Sequence, residues 1–249
     1  MQTALVVGAS RGVGAHIASR LSEEGWMVRG VGRRPFESIA PEPNFEYVRT
    51  DISHPNALDQ MLSDLGRIPD LVIHNAVIHP DWDSSSLNLE SMEAAFRVNA
   101  LVPYLITRDL LARKPDADFL SCVFINSEAV FHADQHSCCY AASKAALRVL
   151  SAGLSASVRH GNAALATLML GPLADQSRLD EARSIAEKKG MTPTQVIELF
   201  LRKAKPDMVI GDFIDYESCF KSIKYIHGLG RAANGMVCRL DGGSGGSLI

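Results

Sequence analysis

Tyr140 and Lys144 stand four residues apart in the stretch HSCCYAASKAAL, which runs from His136 to Leu147. A phenol and an ammonium that share a small volume make an acid–base device: a tyrosine ionises near ~10, and a neighbouring cation lowers that value by stabilising the anion. The spacing works only on a helix, where positions i and i+4 lie on one face. Ala141, Ala142, Ala145, Ala146 and Leu147 are strong helix formers, so a helix is predicted from about Tyr140 onward. Cys139, next to the tyrosine, is read as a packing residue.

A second constellation opens the chain. The apolar run ALVV gives way to Gly8-Ala9-Ser10-Arg11-Gly12-Val13-Gly14, with glycines at its first, fifth and seventh positions. Such a turn between a strand and a helix lets backbone approach a pyrophosphate, while the helix N-terminus offers unpaired N–H groups and a favourable dipole. The run MVRGVG then ends at Gly32, followed by Arg33 and Arg34, where a site for the unphosphorylated dinucleotide has an acidic residue on the ribose 2′-OH. Together with Arg11, these cations suit a 2′-phosphate, so NADP(H) is preferred over NAD(H). Plain solvation explains one surface arginine more readily than all three.

These residues need strands that end at a common edge. ALVV, MVRGVG, FEYVRT, DLVIHNA, FLSCVFINS, ALATLML and GMVCRLDGG read as strands. Between them lie helical patterns at VGAHIASRLSEEG, NALDQMLSDLG, Leu87 to Lys114, and Tyr140 to about Gly161. Several strands are continuous apolar runs, as required where helices cover both faces of a sheet. The predicted fold is α/β, a Rossmann-like doubly wound parallel sheet of about seven strands in a single domain over residues 1–249. From Leu173 to Ile214, SRLDEARSIAEKKG and TPTQVIELFLRKAK form an insertion read as a helical substrate lid.

Composition removes other classes. With 47% hydrophobic and 21% charged residues among 249, and a net charge of -3, the chain has an ordinary globular profile and no electrostatic case for nucleic acid or an anionic membrane. The absence of a spanning apolar run or signal-like start predicts a cytoplasmic protein. Cys122, Cys138, Cys139, Cys219 and Cys238 show no C-x-x-C spacing or disulfide framework. His74, His79, His132 and His136 are too scattered for a metal set and are read as surface-loop residues, with substrate contact as the rival. Glu128 either meets a polar substrate or faces solvent.

The glycine turn, HNA at His74 to Ala76, and Ser127 followed by YAASK together resemble the short-chain dehydrogenase/reductase family in its compact single-domain form. The resemblance spans nearly the whole chain. It implies that Tyr140 is the general acid/base, that Ser127 hydrogen-bonds the substrate oxygen, and that Lys144 holds the nicotinamide ribose and favours the tyrosinate. Asn99, in FRVNALVPY, would organise a water linking the lysine to solvent. It also implies cofactor contacts from Gly8, Ser10, Arg11, Gly12, Val13 and Gly14, from Asp51 and Ile52, from Asn75 and Ala76, and from Gly171 and Pro172, besides Tyr140 and Lys144. Residue chemistry keeps rivals open: Asn75 can satisfy turn backbone, Asp51 can cap the following helix, and Asn99 can secure its own helix.

The sequence departs from the family pattern at three places. Val77 replaces a usual glycine, Leu170 precedes Gly171 where proline is common, and Asp175 stands near the position of a threonine. The expected activity is NADPH-dependent reduction of a ketone to a secondary alcohol. The alternatives are an alcohol or dihydrodiol dehydrogenase running oxidatively, or a silent NADP-binding sensor. A homodimer or homotetramer through the helices around Asn99 and Tyr140 is implied. The lid cations Arg178, Arg183, Lys188, Lys189, Arg202, Lys203 and Lys205 would suit a phosphorylated carrier, but the interspersed Asp180, Glu181, Glu187 and Glu198 favour solvated helix faces.

Overall fold

The computed structural model describes residues 1–36, 44–80, 88–131 and 137–244; His132 and His136 lie outside them. Strands β1 (Thr3–Val7), β2 (Met27–Gly32), β3 (Phe45–Arg49), β4 (Leu71–His74), β5 (Leu120–Ser127), β6 (Ala163–Leu170) and β7 (Val237–Leu240) form one parallel sheet in the order β3-β2-β1-β4-β5-β6-β7. Strand order reverses between β1 and β4. Their carboxyl ends therefore flank a crevice, where this architecture binds ligands.

Both faces are covered, which explains the continuous apolar runs. On one face, Ile17 and Leu21 of α1 (Gly12–Glu23) and Phe220 and Ile223 of α8 (Tyr216–Gly228) pack with Val6, Ile73 and Leu168. On the other, α2 (Pro55–Ser63), α4 (Val102–Arg113) and α5 (Cys138–Ser157) bring Leu58, Ile106, Leu110, Leu147 and Leu154 against Leu5, Val72, Phe124 and Leu165. Helix α8 is absent from the sequence reading. His74 corrects another expectation: it closes β4, is 2% exposed, and stacks on Phe124 with ring centroids 5.0 Å apart. Burial pushes its imidazole down to about 3, so it is a neutral core residue.

The helix expected from Leu87 to Lys114 is interrupted. It comprises α3 (Leu89–Phe96), a π-helical turn at Arg97–Leu101, and α4. Asn99 sits in that widened turn, completely buried.

The 173–214 insertion has its own small core. Helices α6 (Gln176–Lys189) and α7 (Pro193–Ala204) enclose Ala182, Ile197, Leu201 and Phe213. Gly190 ends α6 in the left-handed region at φ 64°, and Thr192 with Gln195 makes a capping box that starts α7. At its base Leu173 and Ile214 form a parallel bridge, extended by Ile214 N–H to the Pro172 carbonyl at 2.8 Å and Ala174 N–H to the Ile214 carbonyl at 2.9 Å.

Candidate active site

Four polar side chains meet where β5 ends against α5. Ser127 is the last residue of β5, and Tyr140 and Lys144 lie one turn apart on α5. Asn126 fixes the strand to the helix by donating to the Lys144 carbonyl at 3.1 Å while its own side-chain oxygen accepts from the Ser127 N–H at 2.8 Å. Lys144 Nζ donates to the Ile125 carbonyl at 2.9 Å. The lysine is 3% exposed, and burial lowers it to about 8.

The Ser127 hydroxyl lies close enough to the Tyr140 phenol to favour its ionised form. Burial pushes its phenol up to about 12; Ser127 and Arg178 oppose that rise, and Glu128 adds to it. The phenol therefore keeps its proton at neutral pH. Burial is the largest influence on both groups, raising the phenol and lowering the ammonium. His79 stacks on Tyr140 at a centroid distance of 4.0 Å and an interplanar angle of 25°. Its imidazole lies below the ordinary value because of desolvation, then Lys144 and Arg178. Its place against the tyrosine was not foreseen from sequence, since no spacing rule joins residue 79 to residue 140.

Asn99 secures the site's framework. Its side-chain oxygen accepts from Ile78 N–H at 2.8 Å, and its amide nitrogen donates to the Ile78 carbonyl at 2.8 Å and to Ser143 Oγ at 2.9 Å. Ser143 in turn donates to the Tyr140 carbonyl at 2.7 Å. One buried amide thus joins the loop after β4 to the first turn of the tyrosine helix.

The glycine loop lies at the neighbouring strand ends. Gly8 has φ 93° and abuts Ala76, while Gly14 packs so closely on Gly8 and Asn75 that a side chain at either position would displace backbone. Asn75 donates to the Gly8 carbonyl at 2.9 Å, so its amide serves the turn. Gly12 differs: at φ 59° its missing Cβ leaves open space, with only the Tyr216 hydroxyl at 3.5 Å. Arg11, extended at φ -161°, precedes α1, and no side chain caps the helix. The open space and uncapped N–H groups fit a pyrophosphate. Ser10 lies against Gly32, 3.1 Å from a Cβ built there, so the loop touches the end of β2. Val13 is buried beneath the loop.

Arg33 and Arg34 follow β2 with their guanidinium groups exposed. Their carbonyls are fixed from β3: Tyr47 donates to Arg34 at 2.5 Å and Arg49 to Arg33 at 3.1 Å. Arg49 adds an exposed cation unmarked by any motif. Asp51 accepts from the Ser53 backbone at 3.0 Å and hydroxyl at 2.7 Å, leading the chain toward α2, with Ile52 buried beside it. Burial raises the Asp51 carboxyl, but Ser53 and Arg33 outweigh it and leave a net lowering. Gly171 packs on Asp241, whose Cα would lie 2.8 Å from an added Cβ, and Pro172 accepts the bond at the insertion's base.

The departures have distinct surroundings. Val77 is 43% exposed, and Leu170 is buried in the core beside β7. Asp175 accepts from the Tyr216 hydroxyl at 2.6 Å. Glu128 is 4% exposed and pairs with Lys205 at 2.7 Å, joining the end of α7 to the residue after Ser127. Arg183–Asp180 and Arg202–Glu198 are exposed pairs within their own helices. Among the described residues, no group of three His, Cys, Asp or Glu side chains could hold a metal, and no helix is long and apolar enough to cross a membrane.

Comparisons with known proteins agree with this arrangement. The short chain dehydrogenase family model matches residues 2–183. An uncharacterized oxidoreductase, YvaG of Bacillus subtilis, is 24% identical over 253 residues, covering 97% of this chain and 95% of its own. A 4-hydroxyisoleucine dehydrogenase complexed with NADH superposes with a TM-score of 0.81 at 18% identity, covering 98% of both chains. The L-sorbose reductase of Gluconobacter frateurii, complexed with NADPH and L-sorbose, gives 0.80 at 17% identity, covering 99% of this chain and 97% of its own.

Proposed function

From the premise that the chain belongs to the short-chain dehydrogenase family of oxidoreductases, we propose that it is an NADPH-dependent reductase converting a ketone to a secondary alcohol. The observation that carries the reading is the meeting of Ser127, Tyr140 and Lys144 where β5 ends against α5. The Tyr140 phenol holds its proton at neutral pH and in the reductive direction would give it to a developing alkoxide. A nicotinamide held here would supply hydride chemistry to a carbonyl carbon. Ser127 orients the carbonyl oxygen and donates to it as charge builds. Tyr140 transfers its proton from Oη to that oxygen. Lys144, one turn along α5 from Tyr140 and bonded to the Ile125 carbonyl, would bind the ribose hydroxyls.

The Gly8–Gly14 loop and the α1 N-terminus would hold the pyrophosphate. Arg33 and Arg34 would take the 2′-phosphate; their exposed guanidinium groups support NADPH over NADH. Helices α6 and α7 would cover the substrate as a lid. Exposed Leu101, Leu105 and Val149 support a homodimer or homotetramer through α4 and α5, in a cytoplasmic protein. Calorimetric titration with NADPH and NADH, followed by a ketone panel monitored for NADPH oxidation, tests the reading. Tight NADPH binding with Tyr140-dependent turnover is expected. Nucleotide binding without turnover in either direction would indicate a sensor.

A further inference from the structure

Tyr216 belongs to no motif in the chain, yet its hydroxyl stands at the glycine loop. It is the first residue of α8, and its Oη lies 3.5 Å from the position of a Cβ on Gly12, the first residue of α1. Its ring faces His16 of α1 at a centroid distance of 6.0 Å, which holds the half-buried phenol in place. The hydroxyl donates to Asp175 at 2.6 Å. Asp175 occupies the N-cap position of α6, but its side chain makes no capping bond there. Asp215, in the corresponding position of α8, does cap its helix, accepting from Ser218 N–H at 2.7 Å. The Asp175 carboxylate has therefore turned from its own helix toward a phenol beside the uncapped start of α1.

This arrangement has a consequence for the dinucleotide. A pyrophosphate seated over Gly12 brings acceptor oxygens next to a hydroxyl that has one proton to donate. It also brings negative charge toward Asp175. Resting on the proposed dinucleotide site, we infer that Tyr216 is a pyrophosphate-binding residue, and that Asp175 is the competing acceptor whose bond the nucleotide displaces, releasing the first turn of α6.

Calorimetric titration of the full chain with NADPH, ADP-ribose 2′-phosphate and adenosine 2′-phosphate tests this. The first two ligands carry a pyrophosphate and the third does not. Tyr216→Phe should weaken NADPH and ADP-ribose 2′-phosphate about tenfold, the scale of one lost hydrogen bond to a charged group, and leave adenosine 2′-phosphate unchanged. Asp175→Ala should tighten the two pyrophosphate ligands several-fold. Retained adenosine 2′-phosphate binding shows that each variant is folded. Equal affinities in wild type and Tyr216→Phe, or weakening of all three ligands alike, would overturn the inference while leaving the dinucleotide site standing; so would weaker pyrophosphate binding by Asp175→Ala. Failure of the wild type to bind any of the three would overturn the site and this inference together.

Discussion

The β5–α5 corner and the 173–214 insertion face the same opening but are built in opposite ways. At the corner, Asn126, Lys144, Asn99 and Ser143 hydrogen-bond across elements distant in sequence, so Ser127 and Tyr140 are fixed by the main sheet. The insertion has its own small core around Leu201 and Phe213, meets the site through Glu128–Lys205 and Asp175–Tyr216, and rests on the chain end where Val209 N–H donates to the Gly242 carbonyl at 2.7 Å. A rigid corner suits chemistry that tolerates little displacement, and a segment with a small core of its own suits the proposed role of a cover that moves as a unit.

The largest break in that contrast comes from the corner. Tyr140→Phe should lower kcat about 10³-fold, as expected when a positioned acid is removed, with nucleotide affinity and melting temperature little changed. Steady-state kinetics beside a thermal scan would check it. Asn99→Ala strips partners from the Ile78 backbone and from Ser143, and should cost roughly 3 kcal/mol of global stability in a denaturant melt.

Lys144 gives a pH signature of the same corner. Its folded value of about 8 lies below the ordinary 10.5, so the fold opposes the charged form. That cost, about 3 kcal/mol, is complete below pH 8 and vanishes as pH rises to 10.5. Lys144→Met should therefore be more stable than wild type at pH 7, by an amount that shrinks toward pH 10.5, while turnover is lost. A wild-type advantage at pH 7 would contradict the assigned burial.

The insertion should respond locally. Leu201→Ala, at a residue 2% exposed, should cost roughly 2 to 4 kcal/mol. Hydrogen exchange should place that loss in α6 and α7 and spare β5 and β6. Arg183→Ala removes only an exposed pair within α6 and should stay within about 0.5 kcal/mol.

This division also sets what could be read from the amino acids. The buried runs of β5 and β6 and the order Gly8–Gly14, Ser127, Tyr140, Lys144 were legible because local pattern and family order express them. Leu173 and Ile214, the limits read for the insertion from sequence, are bridged to each other. The π-helical turn around Asn99 was not legible, since its wider hydrogen bonding answers to Ile78 and Ser143 rather than to any periodicity. His79 against Tyr140, Glu128 with Lys205, and Tyr216 over Gly12 join residues far apart in the chain, which spacing rules cannot reach.

The bridge between Leu173 and Ile214 has an evolutionary consequence. Parallel neighbours lie about 4.8 Å apart, so the chain leaves the sheet and returns at nearly one point. Everything between those two residues is a cassette: it can lengthen, shorten or be exchanged for a segment of different shape without rethreading β6 or α8. Under the proposed function, selectivity would then change by replacing the cassette while the corner proposed to handle the proton stays as it is.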